Sequence, residues 1–126
     1  MNITNIDHIV LTVKNINKTV RFYESVLGMV GESFGKNKMA LKFGNQKINL
    51  HEHGNEFNPR ANKPTPGSED LCFLTDTKLD AVMKHVKSKG VKIIEGPVKR
   101  EGATGPIISI YFRDPDDNLI EVANRA

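Results

Sequence analysis

Tryptophan is absent from this chain, tyrosine occurs twice and cysteine once. So little aromatic surface leaves no basis for a face that stacks nucleobases. A single cysteine, Cys72, excludes an intramolecular disulfide and fits a reducing, cytoplasmic setting. No apolar run approaches the roughly 18 residues of a membrane span. The opening residues MNITNIDHIV carry no charged region followed by a long apolar one, so neither an anchor nor a secretory leader is expected. The triplets Asn2-Ile3-Thr4 and Asn17-Lys18-Thr19 then read as chance matches to a glycosylation signal. A dominant sign of charge is missing too: 18 basic against 15 acidic residues leave +3, scattered along the chain. Nucleic acid binding would call for a basic face.

What is present is the material of one small domain. A chain of 126 residues has no length for a second independent core, and one this size buries about two-thirds of its unfolded surface. The chain also reads twice. Ile6–Val13 is a β-rich run, and a helical stripe follows at Ile16, Val20, Tyr23 and Leu27, with Asn15 as N-cap and Gly28 as stop. Strands are expected at Val30–Phe34, Lys38–Phe43 and Lys47–His53, with turns at residues 35–37 and 44–46. The stretch GNEFNPRANKPTPG, with three prolines, is a linker. The second pass has a strand at Asp70–Thr75 and a helical stripe at Leu79, Val82, Met83 and Val86, capped by Thr77 and ended by Gly90. Strands at Lys92–Ile94, Ile107–Arg113 and Leu119–Ala123 complete it, and the glycine-rich segment GPVKREGATGP reads as a long loop. The expected fold is α+β. It has two tandem βαβββ modules, about residues 4–54 and 69–126, joined by a linker at 55–68, with curved mixed sheets forming a cavity.

Alternation along strands decides which side chains share a face. If Ile9, Leu11 and Val13 pack on the first helix, His8 faces away. If Ile48 and Leu50 pack, Asn49, His51 and His53 face away. In the second module the same parity leaves Asp70, Cys72 and Glu121 on the non-helix face. His8 then corresponds to Asp70, and His51 to Glu121, with Asn49 sharing the parity of His51. Imidazoles and carboxylates on a concave face are a donor set for a divalent ion with open positions. Lys99 and Arg100, in the glycine-rich loop, are candidates to meet an anionic group of a substrate.

Several stretches together resemble the vicinal oxygen chelate superfamily, which includes glyoxalases, bleomycin-binding proteins, fosfomycin-resistance thiol transferases and extradiol dioxygenases. They are Asp7-His8-Ile9-Val10-Leu11, Phe22-Tyr23-Glu24 through Leu27-Gly28-Met29, and Phe112-Arg113-Asp114-Pro115-Asp116 leading to Asn118-Leu119-Ile120-Glu121. The resemblance spans essentially the whole chain. It implies a divalent metal (Zn, Ni, Mn, Co or Fe) held by His8, His51, Asp70 and Glu121, with Glu121 also moving a proton. It implies a homodimer and a small-molecule substrate such as a thiol adduct of a 2-oxoaldehyde. Metal-binding relatives carry histidine where this chain has Asp70, which keeps a metal-independent, ligand-sequestering protein open as an alternative; a thiol transferase of the fosfomycin-resistance kind is the other. The last turn has Asp117 where the family has glycine, and aspartate tolerates the left-handed conformation required there.

Overall fold

The first strand β1 (His8–Val13) leads into helix α1 (Ile16–Leu27) and three further strands, β2 (Val30–Phe34), β3 (Lys38–Phe43) and β4 (Gln46–Glu52). These belong to a computed structural model that describes residues 1–126 and divides into two units, Met1–Pro66 and Gly67–Ala126. In the first unit the strand order is β1-β4-β3-β2, with β1 parallel to β4 and the other pairs antiparallel. Helix α1 starts where Asn15 leaves the extended region and its Oδ1 accepts from the Lys18 amide at 2.9 Å. A cap of this kind contributes about 1 kcal/mol. The helix stops at Gly28, whose φ of +68° is the left-handed geometry glycine supplies without strain. Tyr23 and Val26 on α1 are buried with Leu11, Val13, Leu41, Ile48 and Leu50 of the sheet. Glycine at position 31 lets β2 run close beneath the helix: a Cβ there would lie 2.7 Å from Val20 Cγ1.

The second unit repeats the plan with β5 (Asp70–Leu74), α2 (Leu79–Ser88), β6 (Glu95–Gly102), β7 (Gly105–Arg113) and β8 (Leu119–Arg125). Its order is β5-β8-β7-β6, with β5 parallel to β8. Ile110, Phe112, Ile120 and Val122 form the buried side of the sheet, and Leu79 and Val86 of α2 are buried too. The architecture is therefore α+β, two four-stranded mixed sheets in repeated βαβββ modules, neither closed into a barrel.

Two expectations need correction here. The segment 96–106 is not a long loop: it forms β6 and the start of β7, joined by a tight turn, while residues 92–94 precede the strand. Pairing with the strongly apolar β7 overrides the weak strand propensity of glycine, proline and lysine. Helix α2 is not capped by the Thr77 side chain. The amide of Leu79 donates instead to Asn124 Oδ1 at 2.8 Å, and Asn124 Nδ2 donates to the carbonyls of Thr75 and Thr77. The turn before β8 is built as expected around Asp117, at φ +66°. Asp114 Oδ1 accepts from the amides of Asp116 and Asn118, and the fully buried Asn118 amide bridges Asp114 Oδ2 and the Glu69 backbone. No helix is long and apolar enough to cross a membrane.

Candidate functional site

In the first module, β1 and β4 run in parallel with His8 level with Lys47, Val10 with Asn49 and Thr12 with His51. Residues at one level share a face, and Leu11, Val13, Ile48 and Leu50 occupy the buried one. His8, Asn49 and His51 accordingly lie on the face away from α1. His8 and His51 are four residues apart in register, about 13 Å along the strands at roughly 3.3 Å per residue, too far to chelate one ion together. His8 Nδ1 is 2.8 Å from Asp7 Oδ1, and that bond holds the Asp7 carboxyl below its ordinary range. A carboxylate on one ring nitrogen orients the imidazole and leaves the other nitrogen outward, as for a metal-ligating histidine. His51 packs edge-on against Phe57 with ring centroids 5.6 Å apart. Burial lowers its pKa; Glu56 opposes that while Lys38 and Arg60 reinforce it. Asn49 Oδ1 is buried with no hydrogen-bond partner.

In the second module Cys72, Glu121 and Tyr111 stand abreast on β5, β8 and β7, with Glu95 of β6 beyond Tyr111. Asp70 is level with Leu119, one step along the same face. Glu121 Oε2 accepts from the Ser109 hydroxyl at 2.5 Å, and its carboxylate lies beside Cys72 and Tyr111, its neighbours in register. Arg100 donates from Nε to the Tyr111 hydroxyl at 3.0 Å and from its terminal nitrogen to Glu95 Oε2 at 2.8 Å. Burial raises the Tyr111 hydroxyl; the Arg100 bond opposes this and Glu121 adds to it. Lys99 pairs with Ile108 where Arg100 pairs with Ile107, so the two basic residues lie on opposite faces. Two hollows, of about 400 and 450 Å³, share Arg100, Tyr111 and Glu121 as common wall.

The Cys72 thiol is pushed up to about 11, first by burial and then by the charge and hydrogen bond of Glu121. That elevation leaves roughly a hundredfold less thiolate at neutral pH, of which greater sulfur basicity recovers about tenfold in reactivity. Iodoacetamide should therefore modify Cys72 about tenfold more slowly than an ordinary exposed thiol. The Glu121→Gln variant should react faster, because the neighbouring negative charge is gone. A wild-type rate equal to that of free cysteine would contradict this environment.

Registers also settle which positions correspond between modules. Glu121 is level with Cys72, two residues past Asp70, and Asn49 is level with Val10, two residues past His8. Asn49, rather than His51, is thus the counterpart of Glu121, and His51 matches Ala123. No group of three or more His, Cys, Asp or Glu side chains is gathered for a metal ion. Taken unit by unit, the donor types are those a divalent ion accepts: a carboxylate-oriented imidazole at His8 in the first, and oxygen donors at Asp70 and Glu121, one step apart on one face, in the second. Sequence reasoning passed over Ser109 and Glu95 as partners at this site. The alternation in Ile107–Arg113 places Ser109 and Tyr111 on one face, a signal that becomes useful once β7 is paired with β8.

The chain belongs to the glyoxalase/bleomycin resistance protein/dioxygenase superfamily, whose family model matches residues 5–122. It is 56% identical over 123 residues to virulence protein STM3117 of Salmonella typhimurium, covering 98% of this chain and 85% of that protein. The solved structure of an integron cassette protein from the mobile metagenome of V. cholerae is 60% identical with a TM-score of 0.98, covering 100% of this chain and 98% of that one. More distantly, the metallothiol transferase FosB of Staphylococcus epidermidis is 28% identical over 123 residues, covering 97% of this chain and 82% of that protein.

Proposed function

We propose that the protein is a metal-dependent enzyme of glyoxalase type acting on a small oxygen-rich substrate, such as the thiol adduct of a 2-oxoaldehyde. The observation that carries this reading is Glu121. It is a carboxylate bordering two hollows, hydrogen-bonded by Ser109 and flanked by Tyr111 and Cys72, with no basic side chain within ion-pair distance. Its negative charge is left for a cation or a proton. Asp70 and Glu121, one step apart on one face of the second unit, would hold a divalent ion, with His8 the donor that the family resemblance adds from the first; the ion would supply a Lewis acid to the substrate oxygens. Glu121 takes the proton from the substrate carbon that carries sulfur and returns it to the adjacent carbon, while the hydroxyl proton passes to the neighbouring oxygen, so the hemithioacetal becomes a 2-hydroxy thioester with no atom gained or lost. Ser109 and Tyr111 fix the direction from which the carboxylate approaches. Arg100, oriented by Glu95, faces the anionic part of the substrate. A homodimer belongs to the same reading, because Val10 and Leu74, 43% and 49% exposed, are apolar side chains on open sheet faces.

Elemental analysis of protein prepared without chelator tests the proposal. A stoichiometric divalent ion is expected in the wild type, lost together with isomerase activity in both His8→Ala and Glu121→Ala. Absence of any ion after reconstitution with Ni, Mn, Zn and Fe would sink the reading and favour a sequestering protein that keeps its ligand in metal-free buffer. The likeness to FosB favours a second reading, thiol transfer to an electrophile. The two part on substrate: an epoxide that consumes thiol only in the presence of protein selects the transferase.

A further inference from the structure

The second module carries an arginine that the proposed chemistry does not use. Along β8, Glu121, Ala123 and Arg125 alternate onto the open face, which places Arg125 about 13 Å from Glu121 at roughly 3.3 Å per residue. Arg125 and Arg100 flank Ile107 from the two neighbouring strands. Their guanidinium groups part from there. Arg100 turns to Tyr111 and Glu95, level with Glu121, whereas Arg125 turns to the Thr104 hydroxyl in the β6–β7 turn. The hollow of about 400 Å³ therefore has Glu121 and Arg100 at one end, Arg125 and Thr104 at the other, and the apolar side chains of Leu74 and Ile107 along it. The two cations differ in one respect that bears on ligands. Arg100, paired with Glu95, serves the anionic group at the reacting end beside Glu121, whereas no carboxylate lies within ion-pair distance of Arg125.

We infer that Arg125 receives the distal carboxylate of an elongated substrate whose reacting oxygens lie at Glu121. The substrate class is an acid with vicinal oxygens at one end, an apolar middle and an anionic tail. The inference rests on Glu121 marking the reacting end, as in the function proposed above. A guanidinium offers two parallel donors that match a carboxylate, and the Thr104 hydroxyl fixes its orientation while leaving donors unused. Leu74 and Ile107 match the apolar middle and offer nothing to a second polar group there.

The test uses 2-oxo diacids of increasing chain length, each against the 2-oxo monoacid of the same length, titrated calorimetrically into the full chain. In the wild type, one chain length of diacid should bind about tenfold or more tightly than its monoacid, the effect of one charge-assisted contact. Arg125→Gln should abolish that preference while leaving monoacid affinity unchanged, and Arg125→Lys should keep only part of it. Arg125 is exposed near the end of an outward-facing row, so its variants should fold, and thermal melting checks that they do. With a divalent ion supplied in the titration, Glu121→Gln should weaken both acids alike. Equal affinity for diacid and monoacid in the wild type, or a preference that survives Arg125→Gln, overturns the inference and leaves the reading of Glu121 standing. If Glu121→Gln changes neither affinity, or neither acid binds, the reading of Glu121 as the reacting end falls and the inference with it.

Discussion

Alanine at Gly96 should leave no stably folded protein. Gly96 has φ +108°, and a Cβ there would overlap the Ser109 carbonyl oxygen and sit 2.9 Å from Ile110 Cα. Both are backbone atoms of β7, which is paired on each side and cannot retreat. The conformation alone costs an L-residue about 1–3 kcal/mol, and the overlap adds to it, against a total stability of roughly 5–15 kcal/mol. Gly90→Ala is the control: φ is +76°, but nothing lies within 4 Å of the added atom. That variant should lose only about 1 kcal/mol. Urea titration separates the two: Gly96→Ala should show no folded baseline, Gly90→Ala a midpoint near the wild type, and equal midpoints would refute the argument.

The second large effect is expected at Asn118. Its side chain donates to Asp114 Oδ2 at 2.8 Å and accepts from the Glu69 amide at 2.9 Å, in a fully buried position. Asn118→Ala removes a donor from a carboxylate and strands the Glu69 amide, a loss of about 3 kcal/mol. One residue earlier the sign reverses. Asp117 holds φ +66°, where glycine is at ease, so Asp117→Gly should gain up to about 1 kcal/mol. Opposite shifts in the urea midpoint at adjacent residues would confirm that this turn is held by Asn118 rather than by its backbone preferences. Shifts of one sign would refute it.

Local physics explains what was legible before the fold was known. Asn15, the apolar spacing through Tyr23, and Gly28 together bound α1, because caps and helix period act within a few residues. The repeat of two βαβββ units was legible for the same reason. What escaped depends on pairing. The cap of α2 comes from Asn124, 45 residues further along, and no local pattern announces it. Strand β6 has the composition of a loop and becomes a strand through β7. At the candidate site, parity placed His51 and Asn49 on one face, but only the β1–β4 register shows that Asn49 stands where Glu121 does. Lys99 was grouped with its neighbour Arg100, which strand alternation sends to the other side.

The matched positions of Asn49 and Glu121 have a consequence for how such a chain changes over time. Each module closes its own ladder and buries its own apolar face, so side chains on the opposite face contribute little to whether the module folds. A duplicated unit of this kind can exchange a neutral amide for a carboxylate at one level of one copy, and the other copy remains a working scaffold. Function and foldability are inherited on separate sides of the same sheet. New chemistry can then be tried one residue at a time, without first having to invent a new fold.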